Sequence, residues 1–221
     1  MRKLHNNIKR ALIQSIATPH QTVLDVGCGR GGDIFKWLDC KVKLHMCEPN
    51  EELLAEARSR CGKRQGKFYH GDVSAAPNEQ FDIICYNFSF QYTFKTEELF
   101  EHTIREMTKR SHVGTKFIGI IPDSDCILRR PEKFTDCVGN YTMRSKDTGN
   151  GEFGETLWVC VKDTAYYEND EPIPEPIAYK DVIITRLSEL GWCLDTWQNI
   201  LPNTIGYMTD IYSEFIFTRV Q

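Results

Sequence analysis

Gly27, Gly29 and Gly32 fall in the spacing G-x-G-x-x-G, between a short apolar run and a helix-like stretch. A glycine turn in that position lets backbone approach a ligand closely and aims the free N–H groups of the next helix at it. The spacing alone does not choose a ligand, because dinucleotide-binding and S-adenosylmethionine-binding turns share it and a bare tight turn imitates both. The neighbouring acids discriminate. Asp25 lies two residues before the first glycine, where it would repel a pyrophosphate but suits a ligand carrying a sulfonium and an ammonium. Glu48, at the end of the next apolar run, can accept from both ribose hydroxyls, and Asp72, followed by Val73, is placed to reach an adenine edge. A nicotinamide dinucleotide would also use Glu48, so only the combination favours S-adenosylmethionine. The plainer alternatives are that Asp25 caps the loop's own amides and that Glu48 and Asp72 are solvated loop acids.

These residues need a sheet to position them. Residues 22–26 read as a buried strand running into the glycine turn, and residues 33–38 resume a helical pattern. Strand-like runs follow at 43–47, 67–70, 81–86 and 116–121, with helix formers at 51–60 and 97–109. Read as five strand-helix units in series, they predict an α/β fold: a doubly wound, mostly parallel, seven-stranded Rossmann-like sheet. A helix over residues 3–17 precedes it, with Leu4, Ile8, Ala11, Leu12 and Ile16 on one apolar face.

After Pro122 the rhythm breaks, which predicts an inserted lobe over about 123–176, with a strand at 156–161. Residues 163–175 carry five acids and no base and read as an exposed loop. The core then returns over 177–221, with a helix at 179–190 and strands near 193–199 and 211–219. The chain is thus read as one domain, 1–221, with its core in 22–122 and 177–221.

The composition agrees. A chain of 221 residues, 41% hydrophobic and 26% charged, can bury a core and is not a disordered or fibrous sequence. The 27 basic against 31 acidic residues argue against a long, sequence-independent grip on duplex nucleic acid. Nine cysteines without a C-x-x-C pair fit neither a disulfide framework nor a common zinc spacing, and point to a reducing, intracellular setting. No run of eighteen apolar residues occurs, so no membrane contact is expected.

Several segments together resemble the messenger RNA cap guanine-N7 methyltransferases, a family of class I S-adenosylmethionine-dependent enzymes. Leu-Asp-Val-Gly-Cys-Gly-Arg-Gly-Gly-Asp-Ile-Phe-Lys, residues 24–36, is similar to that family's D-x-G-C-G-K-G-G-D-x-x-K loop. Residues 2–9 resemble its opening helix, residues 87–94 its Q-F-x-x-H-Y-x-F segment, and Ile118 to Ser124 its I-G-T-x-P-[ND]-S segment, followed by Arg129-Arg130. Pro174-Glu175 matches its V-P-E segment and Tyr212 a stacking tyrosine.

The resemblance implies that Lys9, Asp25, Gly27, Gly29, Asp33, Glu48, Asp72, Val73, Asn87, Ser89 and Tyr92 hold the cofactor. It assigns Asn6, Arg30, Gln91, Pro122, Glu175 and Tyr212 to the cap, with Glu175 on the Watson–Crick edge of guanine and Arg30 near the phosphates. Gln91 stands where a histidine is usual, Asn87 where a glutamine is, and His5 where the first asparagine is. Arg129-Arg130 reads as surface.

The implied reaction is methyl transfer from S-adenosylmethionine to guanine N7 of GpppN-RNA, leaving S-adenosylhomocysteine, with no metal and no single catalytic residue. Two alternatives stand beside it, an S-adenosylmethionine enzyme with another substrate and an inactive RNA-binding scaffold of the same fold. The family's segment upstream of His5 is missing, which suggests an excised domain. The resemblance extends to methyltransferase domains of multifunctional viral capping enzymes, so triphosphatase and guanylyltransferase modules are expected upstream. The expected partner is a capped RNA 5′ end, and the expected setting is cytoplasmic if viral and nuclear if cellular.

Overall fold

A computed structural model of the protein describes residues 2–136, 139–143, 152–161, 171–201 and 207–221. The strands in chain order are β1 (Thr22–Val26), β2 (Lys43–Glu48), β3 (Lys67–His70), β4 (Phe81–Asn87) and β5 (Ser111–Pro122), then β6 (Lys133–Thr135), β7 (Gly139–Met143), β8 (Thr156–Val161) and β9 (Ile173–Pro176), and finally β10 (Trp192–Asn199) and β11 (Tyr212–Arg219). The helices are α1 (Arg2–Ile16), α2 (Ile34–Asp39), α3 (Glu51–Cys61), α4 (Glu97–Lys109), α5 (Ser124–Leu128) and α6 (Lys180–Glu189).

The central sheet has seven strands in the order β10-β11-β5-β4-β1-β2-β3, and β11 runs antiparallel to both its neighbours. Its middle strands are apolar on both faces because helices cover both. Val23, Leu24, Ile83, Ile84, Phe117 and Ile118 are all fully buried. Gly119 sits where β5 crosses its neighbours. A methyl group there would lie 2.2 Å from the Tyr86 carbonyl and 2.7 Å from the Phe215 ring, so no larger residue fits.

Local chemistry fixes several element ends. The Asn50 side chain accepts from the Leu53 amide to open α3, Thr96 does the same for Leu99 in α4, and pairs of glutamates occupy both first turns.

Four expectations need correcting. Only three residues, Val73–Ala75, form helical structure between β3 and β4, and they make a single 3₁₀ turn. Ten residues separate His70 from Phe81, too few for a helix in the third of the five strand-helix units read from the sequence. The apolar face of α1 is rotated: Leu12 and Ile13 are buried while Leu4 and Ala11 are exposed, since the helix packs on α2 and β1 residues.

The stretch between β5 and α6 contains a second, antiparallel sheet in the order β6-β7-β8-β9, and Tyr141, Leu157 and Val159 join the apolar cluster of the main sheet. Glu175 accordingly lies in a strand, paired with Leu157 and buried, instead of in an exposed loop, whereas residues 163–170 fall outside the described residues. Arg130, read as surface, pairs with the buried Asp210, while Arg129 remains exposed.

Candidate functional site

The strand order reverses between β4 and β2 on either side of β1, and the crevice beyond the C-terminal ends of these strands is where open α/β sheets bind ligands. The glycine turn fills that position. Gly27 has φ +72°, and a Cβ there would lie 2.5 Å from the Ser89 Cβ, so both conformation and space require glycine. The Ser89 hydroxyl donates to the Val26 carbonyl at 2.8 Å, tying the end of β4 to the end of β1. The buried Glu48 carboxylate accepts from the Gly29 amide at 2.8 Å and from the Asn50 amide at 3.0 Å, which fixes it at the mouth of the turn.

Asp33 is the hub of the charged half. One of its oxygens accepts from Lys9 at 2.8 Å and from Lys36 at 2.6 Å, and the other accepts from the Asn87 amide at 3.1 Å. Because the carboxylate serves the lysines, it does not cap α2, although Asp33 occupies that helix's N-cap position. Burial opposes ionisation of Asp33, but the two ammonium groups outweigh it and hold its pKa below the ordinary carboxylate range. Asp25 is the reverse case: burial first, and the Asp33 charge second, raise it well above that range. A cationic ligand would therefore meet one ionised carboxylate and one whose ionisation its charge favours.

That arrangement makes a pH prediction. The raised Asp25 binds a proton in the folded protein over a window above the ordinary aspartate value of about 4. A bound cation lowers that value again, so binding should release protons inside the window and weaken as pH falls through it. Calorimetry of donor binding in buffers of different ionisation enthalpy should show proton release between about pH 4 and about pH 7 that Asp25→Asn abolishes. Proton uptake, or release unchanged in Asp25→Asn, would remove Asp25 from contact with the ligand's positive charge.

An aromatic and amide cluster adjoins the hub. The Gln91 amide donates to the Phe88 carbonyl at 3.1 Å and to Glu175 at 3.4 Å, bringing the second sheet against the segment after β4. Tyr212 begins β11 opposite Pro122, and its ring meets Phe88 edge-on at 5.2 Å. His5 stacks on Phe88 at 5.1 Å and turns an edge to Tyr212 at 5.5 Å, while the Lys9 ammonium lies 5.9 Å from the Phe88 ring centre. Burial, followed by the nearby Glu175 and Tyr92, pushes the Tyr212 phenol up, and burial followed by Lys9 lowers His5 to about 4, so the imidazole is neutral.

Three buried polar atoms in this region, His5 Nε2, Asn87 Oδ1 and Gln91 Oε1, have no protein partner. Such atoms are scarce in folded proteins, and their grouping beside the glycine turn fits a ligand that supplies their partners.

The structure therefore gathers Asn6, Lys9, Asp25, Gly27, Gly29, Asp33, Glu48, Asn87, Ser89, Gln91, Pro122, Glu175 and Tyr212 around the ends of β1, β2, β4, β5 and β11. Other assigned residues are engaged with partners of their own. Arg30 pairs with Glu56 of α3 at 2.8 Å. Asp72 accepts from the Ser74 amide and hydroxyl and caps the turn containing the buried Val73. The Tyr92 ring has Lys95 at 5.9 Å. Sequence reasoning gave His5, Phe88 and Lys36 no role. The aromatic pairing of His5 depends on a distant strand and carries no sequence signal, whereas Lys36 sits three residues after Asp33, on the same helical face. Among the described residues no three His, Cys, Asp or Glu side chains group as metal ligands, and no helix is long and apolar enough to cross a membrane.

The fold is that of the class I S-adenosylmethionine-dependent methyltransferases. A methyltransferase of this kind from Clostridium acetobutylicum superposes with a TM-score of 0.68 at 15% identity, covering 99% of this chain and 92% of that one. A glycopeptide N-methyltransferase complexed with S-adenosylmethionine gives 0.64 at 13% identity, covering 97% and 93%.

Residues 1–157 match the mRNA (guanine-N(7))-methyltransferase domain, and the chain belongs to that family. It is 28% identical over 194 residues to the mRNA cap guanine-N(7) methyltransferase of Eremothecium gossypii, covering 80% of this chain and 43% of the relative. It is 31% identical over 147 residues to the enzyme of that name from Schizosaccharomyces pombe, covering 58% and 41%. The chain spans about half the length, or less, of these curated relatives.

Proposed function

We propose that the chain transfers a methyl group from S-adenosylmethionine to N7 of the terminal guanine in GpppN-ended RNA. The observation that carries this reading is the buried Glu175 carboxylate, held by Gln91 beside Tyr212, Phe88 and His5, and joined through Asn87 and Lys9 to the Asp33 hub. Guanine offers N1–H and N2–H together, which one carboxylate can accept, and aromatic rings suit any base face. The residues fit the donor as well. The cradle at Gly27, the two aspartates and the unpartnered Asn87 oxygen match a nucleoside with a cationic amino-acid arm, and Lys9 would meet its carboxylate.

S-adenosylmethionine supplies an electrophilic methyl group when bound. Guanine N7 carries a free in-plane lone pair, so no side chain has to remove a proton. What the chain contributes is placement. Glu175 and Gln91 hold the base edge, the Tyr212 and Phe88 rings exclude water, and Asp25 and Asp33 hold the positive end. Restricting two reactants in this way is worth several kcal/mol of barrier. Asn6 on α1 would reach a ribose, and Pro122, at the end of β5 beside Tyr212, would wall the base. Glu48 would take the donor's ribose hydroxyls, with Asp72 and Val73 at its adenine. Tyr92 would border both ligands, and Arg30 would serve the cap phosphates on leaving Glu56.

The capped end requires triphosphatase and guanylyltransferase reactions beforehand, and we place those modules upstream on the same polypeptide, in a nuclear or a viral cytoplasmic setting. Transfer of labelled methyl to GpppA-capped RNA, followed by digestion, should place all label on the guanine base. Label on a ribose would overturn the acceptor and leave the donor standing. Donor binding without any transfer would overturn the enzyme reading.

A further inference from the structure

Lys36 is buried, yet all three protons of its ammonium are engaged. They go to Asp33 at 2.6 Å, to the Gly32 carbonyl at 2.7 Å and to the Asn6 side-chain oxygen at 3.1 Å. These partners belong to different parts of the site. Gly32 and Asp33 form the glycine turn, where the donor would bind, and Asn6 lies on α1 one residue from His5, against the ring cluster where the base would bind.

An ammonium has no acceptor capacity, so it can face only the oxygen of the Asn6 amide. The Asn6 NH₂ is thereby turned away from Lys36 and presented as a donor. Asp33 has other support, since Lys9 and Asn87 also donate to it. Among the described residues, Lys36 is the one that donates to the Asn6 side chain.

From this juxtaposition we propose that Lys36 is a positioning residue that sets the Asn6 amide toward the RNA cap and couples the donor side of the site to the acceptor side. It touches neither ligand. It acts through Asn6 on one side and Asp33 on the other, so a ligand that orders Asp33 also orders Asn6, and the reverse. The inference rests on the function proposed above.

Coupling separates this role from a merely structural one. In the unaltered protein, donor affinity measured by calorimetry should rise with a GpppA cap analogue present. In Lys36→Met, which keeps the length of the chain without its donors, the cap should no longer change donor affinity. The KM for capped RNA should rise about 10-fold or more, with donor affinity alone changing less. Asn6→Ala should raise the same KM to a similar extent, and the double variant should be no worse than either single one. Lys36→Gln serves as a second variant, and thermal melts of each variant identify any that fails to fold.

Additive effects in the double variant, or equal losses of donor and acceptor affinity, would overturn the proposal. Absence of methyl transfer to capped RNA by the unaltered protein would instead overturn the underlying reading, so the two failures are distinguishable.

Discussion

Replacing Glu175 with alanine should lower kcat/KM for guanine-capped RNA by about 10²- to 10⁴-fold, corresponding to two hydrogen bonds donated to a charged acceptor at about 1.5–3 kcal/mol each. The size follows from its setting. Glu175 is buried at the edge where β9 meets the segment after β4, so water cannot easily replace it as the acceptor for a bound base. Glu175→Gln should lose nearly as much, because its amide NH₂ would confront the guanine donors.

Donor affinity should be unchanged in both variants, since the Asp33 hub is held by Lys9 and Asn87. A cap built on inosine lacks the N2 amino group. The unaltered protein should prefer guanine to inosine by about 10-fold or more, and Glu175→Ala should lose that preference. If the variant still discriminates guanine from inosine, Glu175 does not read the base edge.

The placement of Glu175 also marks where sequence reading stops. Acids and prolines over 163–175 predict a solvated loop, and only pairing with β8 turns residues 173–176 into a strand that buries the carboxylate. Such pairing joins residues distant in sequence and leaves little local trace. By contrast β1, β3 and α4 end where the sequence places them, because an apolar run, a closing Gly-Asp pair and the Thr96 cap each act within a few residues. β5 runs five residues longer at its start, since Ser111 pairs with Phe81 across a register shift.

The charged half of the site is legible for the same local reason. The glycine spacing and the acids Asp25 and Asp33 sit within nine residues of one another. What cannot be read there is who partners whom. Arg30 has Glu56 within reach on α3, and Asp72 turns back on its own backbone. Likewise nothing in the sequence brings His5 to Phe88, because that contact requires α1 to lie across the end of β4.

The Asp33 hub is where loss should be felt in stability as well as function. Asp33→Ala leaves Lys9 and Lys36 facing each other without their shared carboxylate, with Lys36 buried. Removing one partner of a buried ion pair costs about 3–5 kcal/mol. Lys9 is more accessible and can turn to solvent, so the low end, about 3 kcal/mol, is expected, or a drop in Tm of about 6–12 °C for a chain of this size. Asp33→Asn keeps the shape but not the charge and should fall between.

Donor binding should be lost in both variants, because two ammonium groups without their shared carboxylate oppose a cationic ligand and Lys9 is no longer positioned. The Asp25 carboxyl should respond too: with the Asp33 charge gone, one of the causes of its raised pKa disappears, and the proton release on binding, where any binding remains, should move to lower pH. A melting temperature unchanged in Asp33→Ala would mean that the two ammonium groups are hydrated in solution and that this carboxylate is not the hub of the site.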